Sequence, residues 1–282
     1  MGGTACGWHR TVRYDDPVPE LFHLDATALE RLLIDALDVQ PHAKLTVEDD
    51  WVQLTTPGSK YAHHNVVMRA RLAPSAIDAR IAAIKREYAA LGVAFRWVVG
   101  PSSEPDDQSE RLVAAGIPVV APACGMVMEV PEKRPSPGPG IELRPATLED
   151  VEAFGDVTAR GWGGPADIGR AMGELAQRAL TMEDPNVAFL LGYLDGELVG
   201  AANLRLLPYA GYLQGASVTP EARGHGLYRA MTWHRLGMIA DRGLQQAVIW
   251  ANVDTSAQIA QRMGFRQVCD GTFHELRGIG GS

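Results

Sequence analysis

The stretch Val218-Thr-Pro-Glu-Ala-Arg223-Gly224-His225-Gly226-Leu227-Tyr228 joins an apolar segment, predicted to be a strand, to a segment predicted to be a helix. The first backbone N–H groups of a helix have no partner within it, and the helix dipole adds about half a positive charge there. Glycines let the backbone approach an anion closely, and we expect Arg223 to add a charged donor. The stretch therefore predicts a site for phosphates, and a pyrophosphate would fit it.

Two common phosphate loops are excluded. The dinucleotide pattern Gly-x-Gly-x-x-Gly fails because Arg229 stands where its third glycine belongs, and no Gly-Lys-Ser/Thr step of a Walker A loop follows. Glycine-rich turns into helices are also frequent where no ligand binds, so a plain turn stays open as an alternative at this point.

Residue periodicity around this stretch predicts an α+β (mixed α/β) chain. Thr147 and Asp150 form a capping-box-like helix start, and Asp195-Gly196 predicts a tight hairpin turn. Strands are expected at 141–144, 187–193, 198–207, 212–218, 247–251 and 267–275, and helices from 147 onward and at 166–180, 227–242 and 256–263.

The segment Pro131-Glu-Lys-Arg-Pro-Ser-Pro-Gly-Pro-Gly140 carries four prolines and predicts a stiff, extended linker. We therefore expect two domains, at residues 1–136 and 137–282. The first half has a similar outline to the second. Its helices are expected at 25–37, 75–91 and 109–115, and its strands at 45–54, 65–72, 93–99 and ending near 130.

Residues 141–275 resemble the GNAT superfamily of acyl-coenzyme A N-acyltransferases. The cofactor loop of that family reads Arg/Gln-x-x-Gly-x-Gly/Ala, and residues 223–227 match its first five positions, whereas Tyr228 occupies the sixth. The Val218-Thr-Pro220 lead-in and the segment 256–265 are also typical. The resemblance implies two GNAT-like domains, each a mixed, mostly antiparallel twisted sheet flanked by helices. The first would be a degenerate copy that lacks the phosphate loop.

The resemblance also implies acetyl-coenzyme A (acetyl-CoA) as the cofactor, with its thioester in a gap where two central strands separate. Ala216 and Val218 would pair with the pantetheine arm through their backbone. The other expected cofactor-binding residues are Arg223, Gly224, His225, Gly226, Leu227, Tyr228 and Ser256.

The acid and base typical of the family are absent. Its Glu would fall at Tyr212 or Gln214, and its Tyr at Ala260. The remaining catalytic candidates are Tyr212, as a proton donor to the leaving thiolate, and Asp254, which would orient substrate or cap the next helix through Ser256. Otherwise proximity and orientation supply the rate, or the domain binds the thioester without turning it over.

Composition narrows the class of partner. The 282 residues carry a net charge of -8, which argues against nucleic-acid binding and favours a cationic substrate. No membrane span or signal peptide is evident, and the widely spaced Cys6, Cys124 and Cys269 predict no metal site and a cytoplasmic location.

The function expected from the sequence is therefore acetyl-CoA-dependent N-acetyl transfer to a primary amine of a small molecule or peptide, with a homodimer as one expected assembly. The alternative is a noncatalytic acyl-CoA-binding sensor or regulatory protein. Trp162 lies between the first two helices of the second half. There an exposed indole would indicate a substrate wall, and a buried one the core.

Overall fold

The computed structural model describes residues 24–59, 61–183 and 186–277. Cys6 and the outer ends of the two predicted domains, residues 1 and 282, lie outside these ranges. The strands are β1 Lys44–Val47, β2 Val52–Thr55, β3 Val66–Met68, β4 Phe95–Val99, β5 Val119–Glu129, β6 Ile141–Pro145, β7 Val187–Leu194, β8 Glu197–Leu206, β9 Gly211–Val218, β10 Gln246–Asn252 and β11 Arg266–Leu276. The helices are α1 Ala26–Asp35, α2 Ile77–Leu91, α3 Gln108–Ala114, α4 Val151–Trp162, α5 Ala166–Thr181, α6 Leu227–Asp241 and α7 Ser256–Met263.

These strands form one 11-stranded sheet in the order β1-β2-β3-β4-β11-β5-β10-β9-β8-β7-β6. Neighbouring strands are antiparallel except for β3 with β4 and β9 with β10, which are parallel. The predicted mixed, mostly antiparallel architecture is thereby confirmed. Each half contributes one parallel pair near the middle of its own strands.

The two halves exchange strands at the centre of the sheet. Strand β5 precedes the linker, yet it pairs with β10 and β11 of the second half. Strand β11, the last of these strands in chain order, pairs with β4 of the first half. Residues 131–140 form the irregular, mostly exposed linker that the prolines predict, but the sheet runs through the boundary that we place there.

Helices cover both faces of the sheet. Adjacent residues on a strand point to opposite faces, and on β10 Ile249 belongs to the core under α6 and α7, whereas Val248 packs with α1. Helices α4 and α5 cover the outer strands of the second half, and α2 and α3 cover the first half. The two cores to which α1 contributes contain strand residues of both halves, so α1 lies over both.

The local signals in the second half are confirmed. The Thr147 N–H donates to Asp150 Oδ2 at 2.8 Å, and both side chains complete the capping box. Asp195 and Gly196 have φ of 50° and 87°, as the predicted turn requires.

Two predictions for the first half are wrong. The single strand expected at 45–54 is the β1–β2 hairpin, turned at Asp49 and Asp50, where polar side chains favour solvent. The strand expected at 65–72 stops at Met68. Within the described ranges, no helix is both long and apolar enough to span a bilayer.

Candidate cofactor and active site

A gap separates β9 and β10 beyond their first paired residues. The strands pair in parallel only at Gly211 with Ala247 and at Tyr212 with Val248, although β9 runs on to Val218. A register shift between β8 and β9 comes directly after this pairing, which marks a bulge in β9. A bulge bends the strand that carries it, and β9 and β10 stay unpaired from the bulge to their C-terminal ends.

The backbone groups of Ala216 and Val218 face this gap. The Thr219 N–H bonds back to β8, and because backbone groups alternate between the two sides of a strand, those of Ala216 and Val218 point the other way. Both carbonyls are already used, since Trp162 Nε1 donates to Ala216 O at 3.1 Å and Arg223 Nε to Val218 O at 3.3 Å. The edge therefore offers the Ala216 N–H as a donor.

The loop between β9 and α6 has the shape of an anion site. Gly224 and Gly226 both have φ of 85°, a left-handed conformation that favours glycine. The Ala230 N–H bonds to Gly226 O at 3.0 Å, which starts the helix and leaves the preceding N–H groups directed outward. A Cβ on either glycine would meet nothing within 4 Å. The space in front of the helix start is therefore open.

The Arg223 guanidinium has a different set of partners from the one expected. Its Nε bonds to Val218 O, and its Nη2 donates to Gly161 O at 2.9 Å. The side chain therefore clamps the end of α4 against β9. The guanidinium would have to leave these two carbonyls in order to contact a phosphate. The backbone of Arg223 lies beside the loop in either case.

The neighbouring side chains in the loop contribute differently. His225 is exposed, and its Nδ1 lies 3.0 Å from Arg223 O. Leu227 is 1% exposed and packs against β7 and β8 at Gly192 and Gly200. Leu227 thus offers only its backbone N–H to a ligand, while His225 stands at the surface of the loop.

Tyr228 connects the start of α6 with the start of α7. Burial raises the pKa of its phenol, and the Arg235 charge and a side-chain hydrogen bond with Ser256 oppose that shift. The Ser256 hydroxyl also accepts the Asn252 N–H at 3.0 Å. Tyr228 and Ser256 therefore narrow the groove between the two helices, next to the β9–β10 gap.

Tyr212 lies at the closed end of the gap. It is 7% exposed within the core under α1, and among the described residues its hydroxyl has no hydrogen-bond partner. Burial raises the pKa of this phenol, an effect that the Arg96 charge partly opposes. The phenol is therefore neutral at ordinary pH and holds its proton more tightly than a free tyrosine does.

Asp254 lies beyond the open end of the gap, away from Tyr212. It is exposed, and its N–H bonds to Asn252 Oδ1 at 2.8 Å. Helix α7 begins after Thr255 without a side-chain cap, so the capping role that we considered for Asp254 is not observed. The two catalytic candidates thus stand at opposite ends of the gap.

The structure decides one open alternative, and one residue of the site escaped the sequence interpretation. Trp162 is 42% exposed, the outcome that the sequence analysis linked to a substrate wall, and it lies over Gly215 and the Ala216 carbonyl, so it covers the gap edge. Arg235 is 1% exposed and bonds to Gly215 O. A charged residue inside a predicted helix gave no sign that it would be buried.

Known proteins share both the sequence pattern and the fold. Residues 163–265 match the acetyltransferase (GNAT) family. The mycothiol acetyltransferase of Cellulomonas flavigena is 29% identical over 54% of this chain and 49% of its own length. The chain thus spans about half the length of this curated relative.

Two solved structures extend the likeness to both halves. A GCN5-related N-acetyltransferase from Kribbella flavida matches with a TM-score of 0.64 at 15% identity, over 92% of this chain and 96% of its own. A functionally unknown conserved protein from Staphylococcus epidermidis matches with a TM-score of 0.65 at 13% identity, over 88% and 98%. At such identities the structures show a shared fold. With the glycine loop at the start of α6, the family match identifies residues 163–265 as an acetyltransferase (GNAT) domain.

Proposed function

We propose that the protein is an acetyl-CoA-dependent N-acetyltransferase that acts on a primary amine of a small molecule or peptide. The observation that carries this proposal is the β9–β10 gap, which the Ala216 N–H faces and which opens toward the anion-binding loop of Gly224 and Gly226. A donor at one end and an anion site at the other match the thioester and the pyrophosphate of one extended cofactor.

In this proposal the pyrophosphate binds the N–H groups at the start of α6. The pantetheine arm follows the edge of β9 at Ala216 and Val218, and Trp162 moves off the Ala216 carbonyl to admit it. The backbone of Arg223 and the groove between Tyr228 and Ser256 complete the binding site. The proposed cofactor-binding residues are Ala216, Val218, Arg223, Gly224, His225, Gly226, Leu227, Tyr228 and Ser256.

The proposed chemistry starts with attack of the neutral amine on the thioester carbonyl. The Ala216 N–H stabilises the oxyanion that forms, the C–S bond breaks, and the sulfur leaves with the electron pair. Tyr212 is the proposed proton donor to the thiolate, and Asp254 would hold a cationic acceptor at the open end. Since no carboxylate occupies the family position at Tyr212, the proton of the amine passes to solvent and orientation supplies much of the rate.

Of the two proposed acceptors, the small molecule has the support of a named relative. A relative at 29% identity is named mycothiol acetyltransferase, and the net charge of -8 attracts a cationic amine. The first half would shape the acceptor pocket, since α1 packs over strands of both halves. A homodimer and a cytoplasmic location stay predictions.

The cofactor site is tested with a matched pair of variants, Gly226→Asp and Gly226→Asn. The two side chains have nearly the same size and shape, and both must adopt a φ of 85°, but only Asp places a negative charge in the anion site. We expect Gly226→Asp to weaken acetyl-CoA binding, measured by calorimetry, about tenfold or more beyond Gly226→Asn. Equal binding by both variants would refute the proposed pyrophosphate site.

The second candidate, a noncatalytic sensor of acyl-CoA, is favoured by two observations. Ala260, at the position of the usual acid, is buried core, and Tyr228 narrows the groove through Ser256. A panel of small amines and amino-terminal peptides, assayed for free thiol release with acetyl-CoA, separates the two functions. Release with at least one amine supports the enzyme, and intact binding without any release supports the sensor.

A further inference from the structure

Arg235 is a buried cation without an acidic partner. It is 1% exposed, and within the described part of the chain it forms hydrogen bonds with carbonyls and a hydroxyl but no ion pair. Burial lowers its pKa to about 10, so the guanidinium is charged at neutral pH. Because an unpaired buried charge is costly, its position calls for a physical reason.

The guanidinium binds the backbone at the β9 bulge. Its Nη1 donates to Asn203 O on β8 at 3.0 Å and to Gly215 O on β9 at 2.9 Å. The regular pairing of the two strands is interrupted directly beside these residues. On the other arm, Nη2 has only a 3.5 Å contact with Thr232 Oγ1. Asn203 and Gly215 are the last paired residues before the register shift, so Arg235 acts on carbonyls at the edge of the bulge.

The Gly215 carbonyl and the Ala216 N–H are the two ends of one peptide group. A charge-assisted hydrogen bond to the oxygen of a peptide polarises the group and strengthens its N–H as a donor. Since the backbone of Ala216 faces the β9–β10 gap, the strengthened N–H points to where the thioester carbonyl would lie.

We propose that Arg235 is a positioning residue for acyl transfer, which holds the β9 bulge open and polarises the Gly215–Ala216 peptide toward the thioester oxygen. This inference rests on the proposed function. In the reaction the amine nitrogen forms a bond to the carbonyl carbon, the C–S bond breaks, and the amine loses its proton to solvent. Arg235 neither gives nor takes a proton, and its charge stabilises the oxyanion through the peptide.

The polarisation can be separated from simple support of the fold. A residue that only supports the bulge would alter stability and cofactor binding together. Polarisation instead lowers the stretching frequency of the bound thioester carbonyl and raises kcat while KM changes little.

The test uses acetyl-CoA labelled with 13C at the thioester carbonyl and difference infrared spectroscopy of the full chain. We expect a downward carbonyl shift in the native protein and a smaller one in Arg235→Gln, which keeps a neutral donor. The kcat of Arg235→Gln should fall about tenfold, a fraction of the loss seen when a direct oxyanion donor is removed. Thr232→Val is the matched control and should keep the native shift, since it leaves the Nη1 bonds intact.

Arg235→Lys keeps a charge that reaches one carbonyl, so its shift should lie between those of the native protein and Arg235→Gln. If Arg235→Gln does not fold, Arg235→Lys takes its place in the comparison with the native protein. A native shift in either variant, at unchanged acetyl-CoA affinity, would overturn the role of Arg235 and leave the proposed function intact. Failure of the native protein to bind acetyl-CoA would overturn both.

Discussion

The sheet contains two parallel strand pairs, β3–β4 and β9–β10. In both, the pairing stops early, but the two pairs differ in what covers the strand edge that is left unpaired. Each pair makes parallel contacts at two positions only. Beyond β3 the backbone of Glu104 takes the free edge, where its N–H bonds to Ala70 O at 3.0 Å and its carbonyl accepts the Leu72 N–H at 3.1 Å. Beyond β9 only the side chains of Trp162 and Arg223, among the described residues, cover the edge.

The β3–β4 gap is also filled from the side of α1. Glu30 is 2% exposed there and accepts a hydrogen bond from the Ser102 hydroxyl. A Cβ on Gly100 would lie 2.5 Å from Glu30 Oε1, so no space remains between them. The first half thus lacks the glycine loop and also the opening that a pantetheine arm would need.

The two gaps differ in how each could open. A gap covered by side chains opens by rotation about single bonds, whereas a gap closed by backbone hydrogen bonds opens only if the local fold breaks. We therefore expect changes at the β3–β4 gap to alter stability, and changes at the β9–β10 gap to alter cofactor binding.

The largest expected effect comes from Gln108, which locks the β3–β4 gap. It is fully buried, and its Nε2 donates to Ala70 O at 2.9 Å and to Glu104 O at 2.7 Å, while its Oε1 accepts from Trp97 at 3.0 Å. Gln108→Leu leaves these buried groups without partners and should lower the free energy of unfolding by about 3 kcal/mol, measured by urea titration.

The control for this change is Gln261→Leu on the exposed face of α7, which should cost little. Acetyl-CoA affinity should stay native in Gln108→Leu wherever the protein is folded. A large loss of affinity without a loss of stability would mean that the first half takes part in cofactor binding.

A smaller effect is expected from Trp162, which covers the β9–β10 gap. Trp162→Phe keeps a ring over Gly215 but removes the N–H that occupies Ala216 O. An incoming cofactor then no longer has to displace this bond, so the Kd for acetyl-CoA should fall about fivefold. That change corresponds to a typical net hydrogen-bond energy of about 1 kcal/mol. Calorimetry measures the Kd. Weaker binding would show that the indole is a contact for the cofactor rather than a cover.

The smallest expected effect concerns the far end of α4, the helix that carries Trp162. Arg144 donates to both carboxylate oxygens of Asp150 at 2.8 Å and holds the pKa of that carboxyl well below its usual range. A depressed pKa contributes stability above the unfolded pKa of about 3.9, and this is lost as pH falls through the folded value.

Asp150→Asn should therefore cost about 0.5 kcal/mol at pH 7, a modest value because Arg144 is 40% exposed. The deficit should shrink below about pH 4, as urea unfolding at several pH values would show. Asp156→Asn, on the exposed side of the same helix, is the control. A deficit that persists unchanged at pH 3 would argue against the ion pair as its source.

Local signals predicted the second half well because each depends on a few adjacent residues. The Thr147 capping box, the Asp195-Gly196 turn and the glycine loop at Gly226 all have the structures that their spacing implies. The loop also predicted the family, since anion binding at a helix start needs only local backbone geometry.

Features that depend on distant partners were not predictable in this way. The exchange of β5 and β11 is invisible in their periodicity, because a strand pattern tells which face is apolar and not which strand lies alongside. The buried Arg235 binds two carbonyls at the edge of the β9 bulge, and no residue near it in the sequence marks that bulge. The Arg223 clamp likewise needs α4 beside β9.

The exchanged strands have a consequence for how the chain is made. During synthesis the first half emerges with its β4 edge unpaired, because the strand that covers it, β11, comes after all the other described strands. Strand β5 in turn waits for β10 and β11. Uncovered strand edges pair readily with other chains, so we expect the first half, when it is synthesised without β11, to aggregate more readily than the full chain.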